Sequence, residues 1–451
     1  MSGEVLVIGG NAAGMTAAGR AKRLDPSLQI TVVEPSHFIS YSICGLPHYI
    51  FGEVENHEDL IVFTPERLKR ERGIEALVRV KAVEILPGRR RVVCRHLDED
   101  RELELSYDRL VLATGYLPEA PNVEGVALEG VLTLSRLEDG IRLRHAITAG
   151  GRSRVAVVGG GYVGLMMTHG LTKQGAQVTL LERNRQVYSQ VDEDLARLIE
   201  KELERNGVRL FLSTRVERLT GANGRVQRVT AGEIEVPADL VLLDVGIRPN
   251  TKLGAAAGVA CGTSGALQAD ARGQTSLAGV YAAGNCAETR NLITGRAVFS
   301  KLGTTAARQG RVVGENLAGW RSEFPGTLET SIEKVFNLSV ARTGLTLRQA
   351  LSAGFDADGA LISHTDRAGY LSGSRPLHVK VIFDRSSRRL LGGQLIGEDA
   401  AGKRIDTMAA ALTAGMRLED LAGLDLAYAP PYGTLWDPFQ IAAHAAMRGL
   451  S

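Results

Sequence analysis

The 451-residue sequence predicts an α/β protein in which two Rossmann-like dinucleotide-binding domains precede a C-terminal α+β domain. Three observations carry that prediction. An aliphatic strand, a glycine turn and a helix follow one another at the N-terminus, and the same order returns at Arg154. After Phe324-Pro325-Gly326 the texture changes to alternating stretches such as Leu377-His378-Val379-Lys380-Val381-Ile382-Phe383, which suggest an antiparallel sheet. The expected boundaries are 1–117 with 248–325 for a discontinuous first domain, 118–247 for the second, and 326–451 for a third whose expected use is association.

Length and composition agree with such a chain. At this length one core is too few, and about three are expected. A hydrophobic content of 44% with 23% charged residues describes a soluble globular protein. The formal net charge of +2, without long basic or acidic runs, gives no general attraction to nucleic acid. No apolar run approaches the roughly 20 residues of a membrane span. Met1-Ser2-Gly3-Glu4 leads directly into a strand without a signal-peptide pattern, so the expected location is the cytoplasm. Cys44, Cys94, Cys261 and Cys286 lie far apart and without Cys-x-x-Cys pairs, which argues against a metal site or a disulfide framework.

In chain order, Glu4-Val5-Leu6-Val7-Ile8 reads as a buried parallel strand, and Gly9-Gly10-Asn11-Ala12-Ala13-Gly14 opens a helix reaching Leu24. Backbone amides at such a helix start receive a pyrophosphate. The next strand, Gln29 to Val33, ends at Glu34, placed to accept from a ribose hydroxyl pair; Asn11 takes the place of the middle glycine. Arg20, Lys22, Arg23, Lys69, Arg70 and Arg72 read either as solvated helix faces or as a cluster for the phosphates of an anionic substrate. Leu110 to Thr114-Gly115 is a strand ending in a small-residue turn. Arg154-Val155-Ala156-Val157-Val158 then leads to Gly159-Gly160-Gly161-Tyr162-Val163-Gly164, a full G-x-G-x-x-G, with its helix running to about Gln174. The following strand ends at Glu182, which favours a free 2′-hydroxyl and hence NADH, while Arg183 and Arg185 leave NADPH possible. Asp239 to Gly246 and Val280 to Gly284-Asn285 are further strands with glycine exits, and Ile405 to Ala414 reads as a helix.

The chemistry is expected at His37 to Tyr49, which contains Cys44-Gly45-Leu46-Pro47. A thiol at a turn or helix start is expected to have a lowered pKa, because nearby amides favour the thiolate, the reactive form. A lone Cys otherwise reads as a small buried hydrophobe.

The order of these motifs resembles the two-dinucleotide flavoprotein disulfide reductase superfamily, the pyridine nucleotide-disulfide oxidoreductases, along nearly the whole chain. The resemblance implies FAD on the first glycine motif, a nicotinamide cofactor on the second, and a C-terminal dimerisation domain. Within it, Ser40-Tyr41 and Cys44-Gly45-Leu46-Pro47 are similar to the single-cysteine branch containing coenzyme A disulfide reductase, NADH oxidase and NADH peroxidase; Tyr49 stands where paired-thiol members have a second Cys. The implied cofactor contacts are Gly9, Asn11, Ala12, Ala13, Gly14, Glu34, Ala82, Thr114, Gly115, Gly159, Gly161, Tyr162, Val163, Gly164, Glu182, Gly246, Gly284, Asn285 and Thr304. Thr16, Arg20, Arg23, Ser40, Arg72 and Tyr370 are the implied substrate contacts. Tyr428-Ala429-Pro430-Pro431-Tyr432 looks most like the coenzyme A disulfide and persulfide reductases, in which a partner-subunit tyrosine lies beside the cysteine, so Tyr428 and Tyr432 join Cys44 as catalytic candidates.

The sequence departs from that pattern in places. Ala12 replaces the histidine of oxidases and peroxidases, which counts against both activities. Ile43, Ala307 and Leu371 remove polar contacts to coenzyme A, and Met166 and His169 stand where the superfamily has glutamates on the nicotinamide-side helix. Asn285 replaces an aspartate at the FAD ribityl chain, where its amide oxygen still accepts a hydrogen bond. Together these imply an FAD-dependent NAD(P)H oxidoreductase reducing a low-molecular-weight disulfide, with coenzyme A as a possible thiol, through Cys44 in a homodimer. Two alternatives stand beside it: an NADH-dependent persulfide or polysulfide reductase, and a flavoprotein that senses redox state with little turnover.

Overall fold

A computed structural model describes residues 3–119, 121–149 and 154–450; Met1 and Ser2 lie outside the described residues. The predicted α/β class holds, and the two glycine motifs sit in matching frameworks. The first sheet has the order Val280–Ala282, Arg109–Leu112, Glu4–Ile8, Gln29–Glu34, Ile74–Val78, with every pairing parallel. The second has the order Arg209–Phe211, Gln177–Leu181, Arg154–Val158, Leu240–Leu243, Val131–Leu132, again parallel throughout. In both, the strand feeding the glycine turn is central, as its unbroken aliphatic run requires: Val5 to Ile8 and Val155 to Val158 are all buried.

Helices Ala12–Leu24 and Tyr162–Lys173 follow the two turns. Against the first packs helix Gly303–Leu317, and the contact is made by small residues. A Cβ on Gly310 would lie 2.3 Å from the Ala13 carbonyl oxygen, and Ala17, Ala18 and Ala21 are fully buried. Larger side chains there would push the helices apart. This close approach brings the start of the Gly303–Leu317 helix towards the first glycine turn.

The third sheet is antiparallel, in the order Ser331–Val335, Leu338–Gly344, Leu390–Glu398, Pro376–Asp384, Ala357–Thr365. The antiparallel pairing that the alternation suggests is found, and in strand Pro376–Asp384 the run Val379 to Asp384 is buried on both faces. Lys380 is only 5% exposed. Its ammonium lies 2.7 Å from Asp194 Oδ2 and 3.2 Å from Asp192 Oδ2, at the start of helix Glu193–Arg205 beside the second sheet. Asp192 also accepts from Gln394 Nε2 at 2.8 Å and from the Leu347 amide at 3.1 Å. This polar lock fastens the third sheet to the second and explains how a lysine is tolerated inside.

Helix Ile405–Thr413 covers the sheet, close to the expected span. All four cysteines are free thiols; Cys44 and Cys261 are exposed, Cys94 and Cys286 buried. Among the described residues no helix is long and apolar enough to cross a membrane.

Candidate active site

Two carboxylates organise the two nucleotide turns in the same way. Glu34 Oε2 accepts from the Gly10 amide at 2.8 Å and Oε1 from the Ser36 amide at 3.0 Å. Glu182 Oε2 accepts from the Gly160 amide at 2.6 Å and Oε1 from the Asn184 amide at 2.8 Å. Burial pushes the Glu34 carboxyl up, and the Gly10 and Ser36 amides pull it back. Each carboxylate keeps unused lone pairs for a ribose hydroxyl.

The close turns admit no side chain. A Cβ on Gly14 would lie 1.9 Å from the Gly9 carbonyl oxygen, and one on Gly164 would lie 2.0 Å from that of Gly159. At the first helix start Asn11 makes no side-chain cap and no acidic residue occupies the first turn, so the amides face outward ready for an anion. Such a cradle fits the pyrophosphate of FAD. The second start differs, because Asp244 Oδ2 accepts from the Gly164 amide at 2.7 Å, while burial pushes its carboxyl up.

Other expected cofactor residues gather around the first turn. Thr114 Oγ1 donates to the Asn250 carbonyl at 2.6 Å, which ties the strand exit to the Gly246 segment. The Gly284 amide donates to Gln309 Oε1 at 2.9 Å, and Asn285 Nδ2 donates to the Ser300 carbonyl at 2.8 Å, leaving the Asn285 amide oxygen for a ligand. Thr304 is exposed in the first turn of helix Gly303–Leu317. Ala82 lies on the separate strand Val80–Leu86, paired with Cys94.

Cys44 sits in a 3-10 turn, Ile43–Gly45, that runs into the short helix Leu46–Ile50. Ser40 starts this approach with φ +52°; its amide donates to the Gly10 carbonyl at 2.8 Å, and its carbonyl accepts from Val62 at 2.7 Å. That bend carries the chain from the glycine turn to the thiol. Arg144, from helix Leu137–Ala149, fixes the far end by donating to the carbonyls of Tyr49, Val54 and Glu55 at 3.0, 3.0 and 2.7 Å. Tyr49, in place of a second cysteine, is buried beneath the Arg144 guanidinium.

Around the sulfur stand Gly303 and Tyr116, which sequence reading missed, and Tyr162, which it expected as a cofactor contact. A Cβ on Gly303 would lie 3.9 Å from Cys44 Sγ, so the 15-residue helix begins beside the thiol. Tyr116 and Tyr162 stand close enough to feel the thiol's charge, and burial pushes the Tyr116 phenol up to about 12. Tyr116 directly follows Thr114-Gly115, and that adjacency was the available signal.

The expected lowering of the thiol pKa is not found. Cys44 is exposed by surface area, yet the protein atoms packed about its sulfur desolvate the thiolate and push the thiol up from its ordinary value. The helix after it has only five residues, and Pro47 lacks an amide N–H, so its terminus contributes little.

The basic cluster divides. Arg20 donates to Glu315 at 2.6 Å, Lys22 caps the Pro26 and Leu28 carbonyls, and Lys69 and Arg70 pair with Glu75 and Glu71. These four side chains thus have partners within the protein. Arg23 is exposed, and Arg72 lies over the Phe63 ring. Thr16 is half-buried on the first helix.

Tyr370 (77% exposed) and Tyr432 (82% exposed) stand on two surface loops together with Tyr428, Leu435 and Trp436. Desolvation first, and then the Tyr370 hydroxyl, push the Tyr428 phenol up. Arg404 holds both loops: it donates to the carbonyls of Asp366 and Tyr432 and pairs with Asp437 at 2.6 Å. His169 is buried between Phe51 and Phe336, where desolvation lowers its pKa, so it is a core residue.

Residues 3–310 match the model of the pyridine nucleotide-disulphide oxidoreductases, and residues 331–437 match that of their dimerisation domain. This chain belongs to that family. It is an FAD-dependent NAD(P)H oxidoreductase. Among its relatives, the NAD(P)H coenzyme A polysulfide/persulfide reductase of Pyrococcus horikoshii is 36% identical over 98% of each chain. A protein of Methanocaldococcus jannaschii named NADH oxidase is 34% identical over 99% of each chain. The solved NAD-dependent persulfide reductase from A. fulgidus superposes with a TM-score of 0.96 at 38% identity, covering 99% of this chain and 83% of the other.

Proposed function

We propose that this oxidoreductase reduces the sulfur–sulfur bond of a low-molecular-weight disulfide or persulfide at Cys44, with thiols of the coenzyme A type as the substrate class. The observation that carries the reading is a solvent-accessible thiol beside the first nucleotide cradle, with a buried tyrosine where a second thiol would stand. A lone thiol must take its sulfur partner from solution. Cys44 thiolate attacks one sulfur, the sulfur–sulfur bond breaks, and the leaving thiolate takes a proton; the other half stays on Cys44 as a mixed disulfide. Gly9 to Gly14, Glu34, Thr114, Asn285 and Thr304 would hold FAD, which would pass on the two electrons of NAD(P)H needed to cleave that mixed disulfide, releasing the second thiolate and restoring the Cys44 thiolate. Glu182, held by the Gly160 and Asn184 amides, favours NADH as the donor.

The exposed aromatic loops and the matched dimerisation domain support a homodimer in which Tyr428 or Tyr432 of one protomer donates to the leaving thiolate at the other's Cys44. The sheet memberships support a division into 1–117 with 248–325, 118–247, and 326–451. Arg20 is engaged by Glu315, which leaves Arg23 and Arg72 for substrate phosphates and favours small persulfides alongside coenzyme A disulfide.

The test is Cys44→Ser. The variant should keep FAD and its anaerobic bleaching by NADH while losing turnover of coenzyme A disulfide, coenzyme A persulfide and polysulfide. Normal turnover in the variant would sink the mechanism, and in the parent an NADH oxidase rate above all three sulfur rates would displace the substrate assignment.

A further inference from the structure

Glu333 lies in strand Ser331–Val335, outside both nucleotide motifs. It is 4% exposed, and among the described residues neither carboxyl oxygen has a hydrogen-bond partner. A buried carboxyl without partners is a standing cost that folding alone does not explain. What surrounds it belongs to the second nucleotide turn. Tyr162, the first residue of the helix after Gly161, donates through its hydroxyl to the Ile332 carbonyl at 3.3 Å, one residue before Glu333. Burial first, and then the charges of Glu333 and Cys44, push the Tyr162 phenol up. Tyr188, fully buried, adjoins the same carboxyl, and its amide donates to the Gly160 carbonyl at 2.8 Å. The amide of Met166 approaches without reaching hydrogen-bond geometry, and Met166 itself offers no polar side-chain group.

We propose that the Glu333 carboxyl hydrogen-bonds the carboxamide of the nicotinamide ring, supplying from the third sheet the polar contact that Met166 withdraws from the dinucleotide helix. The chemistry matches. Burial, and then the neighbouring Asp244, push the Glu333 carboxyl well above the ordinary carboxylate range, which favours its protonated form. A protonated carboxyl presents one O–H donor and one C=O acceptor side by side. A primary carboxamide presents the complementary N–H and C=O, and the two pair through both bonds. Glu333 is then a specificity-determining residue that acts on the cofactor's amide and on no reacting atom.

The inference rests on the reading that NAD(P)H uses the Gly159 to Gly164 turn, and it is tested by binding with no chemistry. Equilibrium titration of the FAD-loaded enzyme compares NAD+ with 3-acetylpyridine adenine dinucleotide, which keeps the C=O and lacks the N–H. The parent should bind NAD+ about three- to tenfold more tightly, the range of one hydrogen bond. Glu333→Leu should bind both alike, and Glu333→Gln, whose amide also offers a donor and an acceptor, should retain the preference. The melting temperature of Glu333→Leu should equal or exceed that of the parent, since a buried orphan has been removed. Parental discrimination in Glu333→Leu, or a lower melting temperature without altered discrimination, overturns the proposal. If that variant fails to fold, Glu333→Thr carries the same comparison. Cys44→Ser failing its own test would leave the binding result standing, so the two readings fail separately.

Discussion

Replacing Lys380 by Met tests the lock between the second and third sheets. Methionine preserves most of the side chain's length and apolar stem, so the change is chiefly loss of the ammonium that bridges Asp194 at 2.7 Å and Asp192 at 3.2 Å. Removing one partner of a buried pair costs about 3–5 kcal/mol, because the other is left charged in a poor solvent. Two features reduce that figure here. Asp194 is 39% exposed at its side chain and rehydrates, while Asp192 keeps donors in Gln394 and the Leu347 amide. A cost of about 2–3 kcal/mol follows. At roughly 2–4 °C per kcal/mol for domains of 150–250 residues, the melting temperature should fall by roughly 4–12 °C. Calorimetry of the FAD-loaded enzyme reads this directly and should show the third sheet melting earlier as a separate transition. Adding Asp192→Asn and Asp194→Asn should recover much of the loss, because no uncompensated charge then remains. A single Lys380→Met change that leaves the melt within about 1 °C, with no recovery in the triple variant, would refute the reasoning.

Two further outcomes follow from the thiol and the tyrosine loops. In an FAD-free Cys261→Ser background, alkylation of Cys44 should titrate with a midpoint above that of an ordinary thiol, because desolvation raises it; the rate rises with pH as the thiolate forms, and a midpoint below an ordinary thiol's would contradict the burial argument. Arg404→Ala frees the Asp366 and Tyr432 carbonyls and strands Asp437, at a cost of about 1–3 kcal/mol. Disulfide turnover should drop about tenfold or more while NADH still bleaches the flavin; unchanged turnover would remove these loops from the site.

Both nucleotide turns were legible because their physics is local. A glycine too close to the preceding carbonyl, an aliphatic strand and a terminal carboxylate all fall within about thirty residues. Cys44 could be picked out for the same reason, since its turn and Pro47 are neighbours in sequence. Its protonation behaviour could not, because it depends on Gly303, which lies on a helix more than two hundred positions later. The alternation around Lys380 pointed to an antiparallel sheet, and only the third dimension shows Asp192 and Asp194 meeting that lysine. The partner of Arg20 was hidden in the same way, since Glu315 is 295 residues away. Glu333 carries no motif at all, and its isolation among Tyr162, Tyr188 and Met166 exists only in the folded chain.

The paired carboxylates also limit how this enzyme can be re-engineered or diverge. Glu182 spends one oxygen on the Gly160 amide and the other on Asn184 before any nucleotide arrives. Exchanging it for an apolar residue to admit a 2′-phosphate would thus do two things at once, relieving repulsion and releasing the turn that must grip the pyrophosphate. Glu182→Gln would keep an acceptor for the Gly160 amide while removing the charge, which separates the two effects.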